Sequence, residues 1–280
     1  MNKSLQKLDF QNRETNFWLC RKFAKNQNYP DAPLMSQALD QNVLKDGNKE
    51  LLNRFIEFLK NKRNDQITSQ LYQDMFAEFI VGNSFEKTFL EFGATDGLNL
   101  SNTYSLEKFS NWSGVLAEPD TQWHNNLKLN RPNTKIIHDC VWLKSNEILD
   151  FISSGQGELS TIESFKYSDQ DSMPANSKNR NQITKKIQVK TISLNDLINI
   201  EFNSTSPSYI SIDTEGSEYE ILKSFDFDNF KPKVFTIEHN HSNLEKQIDE
   251  LLEKNNFERI FRKLTAFDAW YVSKDALKTV

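Results

Sequence analysis

The stretch Phe89-Leu90-Glu91-Phe92-Gly93-Ala94-Thr95-Asp96-Gly97 decides the fold, and Gly114-Val115-Leu116-Ala117-Glu118-Pro119 completes it about 20 residues later. The first piece reads as a buried strand that breaks at a small-residue turn. The second reads as another buried strand ending in a carboxylate. A turn that lets the backbone approach a ligand, followed by an acid able to hold a ribose diol, is how a Rossmann-like sheet grips a nucleoside.

The glycines also exclude. A dinucleotide fingerprint places three of them as G-x-G-x-x-G, so that a pyrophosphate can rest on a helix N-terminus. Here the pattern is E-x-G-x-x-x-G, from Glu91, Gly93 and Gly97. Glu91 opens the turn and Asp96 sits inside it. Two carboxylates would repel a pyrophosphate and suit a cation. S-adenosylmethionine is a nucleoside that carries an ammonium and a sulfonium. An ordinary strand-turn-helix junction would give the same turn; Glu118 at the end of the next strand favours the cofactor.

Composition bounds the rest. The chain has 280 residues, enough for one large α/β domain with an extension or for two small domains. Its 21 Phe residues supply the large apolar side chains of a core. A net charge of -5 without a clustered basic face argues against nucleic acid as a partner. The two cysteines, Cys20 and Cys140, make neither a disulfide framework nor a metal cluster, which fits a reducing cytoplasm. The first ten residues lack an apolar signal-peptide core, and no apolar run is long enough for a membrane span.

Along the chain, 1–80 reads as helical: Leu51, Leu52, Phe55, Ile56, Phe58 and Leu59 recur at helical spacing. This extension is expected to serve as a lid, a packing layer or a homodimer surface, with the main domain at 81–280. From Thr88 on, strands alternate with helices. The strands are expected at 88–92, 114–118, 135–138, 187–191, 209–213 and 234–238, with a late pair near 258–261 and 269–272. Such alternation with apolar strands implies a mostly parallel sheet covered on both faces. The polar stretch 165–186 reads as a loop, either a lid over the site or a plain insertion.

Two further strand ends carry chemistry. In Ser208-Tyr209-Ile210-Ser211-Ile212-Asp213-Thr214-Glu215-Gly216-Ser217-Glu218, Asp213 ends an apolar strand, where open α/β sheets place ligands. Helix capping by these acids would explain part of the cluster. In Val234-Phe235-Thr236-Ile237-Glu238-His239-Asn240-His241, a second apolar strand ends in an acid and two histidines. Histidine lies near its pKa at neutral pH, so His239 is a candidate general base. Glu215, Glu238 and His241 are candidates for the acceptor side. In His138-Asp139-Cys140, Asp139 could accept an adenine amino group or simply cap a turn.

Taken in order, these motifs resemble the FkbM family of S-adenosylmethionine-dependent O-methyltransferases. The resemblance runs from about 69 to 271 and includes Ser69-Gln70-Leu71-Tyr72-Gln73-Asp74 and Ser101-Asn102-Thr103-Tyr104-Ser105-Leu106-Glu107-Lys108 beside the segments above. It implies a Rossmann-like class I methyltransferase fold with seven strands. It also implies that Glu91, Gly93, Ala94, Asp96 and Gly97 surround the methionine part of the cofactor, with Ser101 nearby. Glu118 and the adjoining Pro119 would meet the ribose, and Asp139 and Cys140 the adenine. Asp213 would lie where donor and acceptor meet. Family members typically methylate hydroxyls of sugars, glycans or related natural products, so a small-molecule or glycan acceptor is expected. Asp213 is then the base or substrate anchor and His239 the competing base. A divalent metal such as Mg²⁺, held by Asp213 and Glu238, is a third arrangement. A cofactor-binding assembly module without activity is the alternative function.

Overall fold

The computed structural model describes residues 49–62, 67–155, 157–181, 184–262 and 265–280. The part of the N-terminal extension before residue 49 lies outside the described residues. Two helices precede the first strand: α1, Lys49–Lys60, and α2, Gln73–Val81. Helix α1 buries Leu52, Phe55, Ile56 and Leu59, a stripe at spacings of three, four and seven. Phe55 packs into an aromatic cluster, with ring centroids 5.8 Å from Phe76, 6.0 Å from Phe261 and 6.2 Å from Trp270. Burying such a ring contributes about 1.5–3 kcal/mol, and this anchors α1 to the sheet.

The main sheet has seven strands: β1 (Thr88–Phe92), β2 (Ser113–Ala117), β3 (Lys135–Ile137), β8 (Tyr209–Ile212), β9 (Val234–Glu238), β10 (Phe257–Ile260) and β11 (Asp268–Ser273). Their order is β10-β11-β9-β8-β1-β2-β3. All neighbours run parallel except β11, which is antiparallel to both β9 and β10. This is the class I methyltransferase arrangement. Alternate residues of each central strand feed two cores, as a sheet covered on both faces requires. Phe89, Leu116, Tyr209 and Trp270 face α1 and α2. Leu90, Val115, Ile210 and Phe235 face the other core, with α6 (Leu194–Glu201), α7 (Glu218–Lys223) and α8 (Glu245–Lys254). Helices α3 (Tyr104–Ser110) and α4 (His124–Asn130) cross between β1, β2 and β3.

A second sheet was not expected. It comprises β4 (Cys140–Trp142), β5 (Ile148–Ser154), β6 (Thr161–Ile162) and β7 (Thr184–Ser193), in the order β4-β7-β5-β6. The strand expected at 187–191 therefore belongs to this small mixed sheet, paired antiparallel with β5, and not to the main one. The stretch 165–186 is also more ordered than a loop. It contains α5 (Pro174–Arg180), started by a proline at its first turn, and the first residues of β7. Helix α9 (Lys274–Leu277) closes the described chain.

Candidate active site

The carboxyl ends of β1, β2, β8 and β9 open into one cavity of about 360 Å³. The β1 turn is shaped by Gly93, whose φ is +79° and whose added Cβ would lie 1.7 Å from the Asp213 carbonyl oxygen. The glycine is thus required by the close approach of the β1 turn to the Asp213 backbone, beside any need of a ligand. Gly97, at φ +72°, packs against Leu127 and Arg131 instead of lining the cavity.

Glu91 and Glu118 both line the cavity, and both are wrapped in donors. Glu91 accepts from the Ser101 hydroxyl at 3.0 Å, the Asn102 backbone N–H at 2.7 Å and the Thr103 hydroxyl. Glu118 accepts from the backbone N–H groups of Thr95 and Asp120, each at 2.8 Å. Burial still pushes the Glu118 carboxyl up to about 7. Asp96 behaves differently from the expectation. It does not line the cavity: its carboxylate accepts from the backbone N–H groups of Leu98 and Asn99 and from the Asn99 amide. An Asx-type turn has absorbed its charge.

At the other end, Asp213, Glu215 and Glu238 bring their oxygens within 4.8 Å of one another. Burial pushes the Asp213 carboxyl up to about 7, while a hydrogen bond with Glu238 pulls it down. Burial and the adjacent Asp213 charge hold Glu238 well above the carboxylate range. The sense is that Glu238 keeps its proton and donates it toward Asp213. Asn240 donates to Glu238 at 2.8 Å. Arg180, fully buried, donates to Glu215 at 2.7 Å and to both oxygens of Asp169 at 3.0 and 3.2 Å. It ties α5 to the turn after β8. Glu215 there holds φ +57°, a strained backbone of the kind found at functional sites.

The histidines sit elsewhere. His239 is buried behind β9 and His241 beside it, and neither lines the cavity. The His239 ring accepts the His241 backbone N–H at 3.0 Å and lies 3.2 Å from the Asp268 carbonyl oxygen. Burial drives its pKa down to about 3. His239 and His241 therefore stay outside the cavity that Asp213 lines. Asp139 is likewise outside, in an ion pair of 3.5 Å with Lys190. Ala94, Ser101, Pro119 and Cys140 do line the cavity, and burial raises the Cys140 thiol to about 12, so it acts as a small apolar wall.

Three cavity residues, Asp268, Gln73 and Asn102, were not anticipated, nor was Arg180, which pairs with the lining Glu215. Asp268 opens β11, is raised to about 7 by burial, and accepts from the Gln73 amide at 2.6 Å. Gln73 lies in a motif already singled out. Asn102 does too, in the Ser-Asn-Thr segment after the turn. Arg180 lies in the polar stretch 165–186, where nothing in the pattern distinguishes it.

The lining carries seven Asp and Glu residues and, among the described residues, no Lys, Arg or His. A pyrophosphate would find no counter-charge there, whereas a sulfonium and an ammonium would. The methyltransferase FkbM domain profile matches residues 91–266, which supply most of the cavity lining. The chain belongs to the FkbM methyltransferase family. It is an S-adenosylmethionine-dependent methyltransferase. No curated protein sequence matches the chain. Among solved structures it resembles the SAH-bound methyltransferase of Podospora anserina (TM-score 0.40, 11% identity, 81% of this chain and 88% of that one). It also resembles a precorrin methyltransferase of Geobacter metallireducens (0.36, 9%, 67% and 78%). A third is the fibrillarin pre-rRNA processing protein of Methanococcus jannaschii (0.34, 11%, 67% and 65%). Among the described residues, no helix is long and apolar enough to cross a membrane.

Proposed function

We propose that this FkbM-family enzyme is an O-methyltransferase acting on a hydroxyl of a sugar, glycan or related natural product, with Asp213 as the base. The observation that carries this is the place of Asp213. It ends the central strand β8, beside the β1 turn on one side and Glu238 of β9 on the other. The bound cofactor supplies an already activated methyl group. The chain aligns the acceptor and takes its proton. Asp213, ionising near neutral pH, accepts the hydroxyl proton as the oxygen attacks. Glu238, still protonated, steadies the carboxylate through their shared hydrogen bond. A base so placed contributes about 10²–10⁴-fold. Asn240, Gln73 and Asp268 offer mixed donors and acceptors on the acceptor side, a set suited to a polyhydroxylated ligand.

A metal is the weaker arrangement for these residues. Glu215 already pairs with Arg180 and Glu238 holds a proton, so the cluster offers a cation little free charge. Turnover should therefore survive a chelator such as EDTA. The N-terminal extension, 1–80, is assigned to a lid, packing or dimerising role, and a cytoplasmic site of action is assigned on the sparse cysteine usage. The experiment is transfer of labelled methyl from S-adenosylmethionine to a panel of glycosides and amines, with the product mapped by NMR. A methyl ether on a sugar is the expected product. Methylation of the amines alone, or binding of S-adenosylhomocysteine with no transfer to anything, would contradict the proposal.

A further inference from the structure

Helix α5 is fastened to the turn that follows Asp213. Arg180, its last residue, spends all five of its N–H donors. Nε donates to the Leu159 carbonyl at 2.7 Å, and Nη1 to the Lys166 carbonyl and to Asp169, both at 3.0 Å. Nη2 donates to Asp169 at 3.2 Å and to Glu215 at 2.7 Å. The segment before α5 is bound to the same turn. The Thr161 hydroxyl donates to the Thr214 and Glu215 carbonyls, each at 3.1 Å, and the Ser168 hydroxyl to the Glu215 carbonyl at 3.3 Å. A Cβ added to Gly216 would lie 2.1 Å from the Ser168 hydroxyl, so the two segments are in contact.

These contacts also fix which way α5 is turned. Met173, Asn176, Ser177 and Arg180 recur at spacings of three and four, so they share one face. Ser177 and Arg180 are buried, while Pro174, Ala175 and Lys178 are exposed. Met173 and Asn176, half-buried on the inward face, both line the cavity. Other polar groups at this end are committed: Glu215 to Arg180, Glu238 to Asp213 and Asn240, and Gln73 to Asp268. Asn176 is not. Its backbone N–H is spent on the Met173 carbonyl at 3.0 Å, but its side-chain amide makes no hydrogen bond among the described residues. An amide both donates and accepts, and so does a hydroxyl. Met173 sets a flexible apolar side chain beside it. The pair suits a ring with hydroxyls at its rim and C–H groups on its face.

We propose that α5 is the wall that reads the acceptor: Asn176 hydrogen-bonds a second hydroxyl of it, and Met173 covers the apolar C–H face alongside. This rests on the reading of the acceptor as a polyhydroxylated compound. The test is steady-state kinetics on glycosides that each lack one hydroxyl, beside calorimetry with S-adenosylhomocysteine. In the wild type, loss of one hydroxyl other than the methylated one should raise KM about 3–10-fold. Asn176→Ala should raise KM for the parent glycoside by the same factor, keep kcat within about threefold, and lose the discrimination against that deoxy compound. Met173→Ala should raise KM for the parent and the deoxy compound alike, with the discrimination kept. Both variants should bind S-adenosylhomocysteine within about twofold of wild type, which also shows that they are folded. Discrimination kept in Asn176→Ala, cofactor affinity lost in it, or a wild type indifferent to every second hydroxyl would overturn the proposal. A wild type that methylates amines alone fails the hydroxyl reading and this proposal with it. Transfer to glycosides with KM unchanged in both variants fails the proposal for α5 alone.

Discussion

The two ends of the cavity treat their carboxylates differently. At the β1–β2 end, Glu91 is held by donors from Ser101 to Thr103 after the β1 turn, and Glu118 by the backbone N–H groups of Thr95 in that turn and of Asp120 beside it. Their positions are set before any ligand arrives. At the β8–β9 end, Asp213 and Glu238 lean on each other, and Glu215 is held by an arginine from a distant helix. The first arrangement is rigid, and its acids serve to place a ligand. The second leaves Asp213 hydrogen-bonded to an acid that can share a proton with it, whereas Glu118, also raised to about 7, is held by backbone N–H groups that favour its charged form. Binding calls for preorganised acceptors, and proton transfer calls for a group near its pKa. On the proposed function, this difference puts the donor at one end and the chemistry at the other.

The contrast can be broken by stability measurements. Arg180→Ala leaves Glu215 and Asp169 buried without their cation. Denaturant unfolding should show a loss of about 3–5 kcal/mol. A variant as stable as the wild type would mean that the β8 end does not depend on α5. Glu91→Ala should cost less, about 1–3 kcal/mol, because it orphans the donors of Ser101, Asn102 and Thr103 but strands no cation in direct contact. A larger loss for Glu91 than for Arg180 would reverse the assignment of which end is held from afar.

Stability against pH sharpens the comparison further. Glu118, Asp213 and Asp268 are all raised to about 7 in the folded chain. Unfolded carboxyls titrate near about 4. Between these values the folded state holds protons that the unfolded state has released, so stability falls as pH rises from about 4 to about 7. Glu91, Glu215, Glu218 and Glu238 are raised as well and act in the same direction. His239, lowered to about 3, and His124, also lowered, have the opposite sign below about 6.5, and the lowered carboxyls Asp196, Asp226 and Asp275 have it only below about 4. Tm should therefore decline from about pH 5 to about pH 7, and the decline should be shallower in Asp213→Asn. A Tm that climbs over this range would mean that these carboxyls are ionised when folded.

Much of the fold was legible because β1, β2, β8 and β9 are short apolar runs ending at glycines or acids. The second sheet was not. Strand β5 alternates burial weakly and carries Ser and Asp, so its pattern does not separate from a loop. In the site, Glu91, Glu118 and Asp213 could be placed because each ends a strand that the sequence marks. Asp96 and His239 sit beside such ends, but which way a side chain turns depends on backbone it meets only in three dimensions. Asp96 turned into its own loop, and His239 turned behind the sheet toward Arg259 and Glu245. Arg180 could not be read at all. Its partners are 11 and 35 residues away, and it stands in a stretch of uniform polarity.

The most direct test of the division between the two ends is Asp213→Asn, measured for both functions at once. Calorimetry should give an S-adenosylhomocysteine affinity within a few-fold of wild type, while turnover on the free hydroxyl of a glycoside acceptor falls about 10²–10⁴-fold. Turnover preserved in this variant, or cofactor affinity lost along with it, would contradict the account.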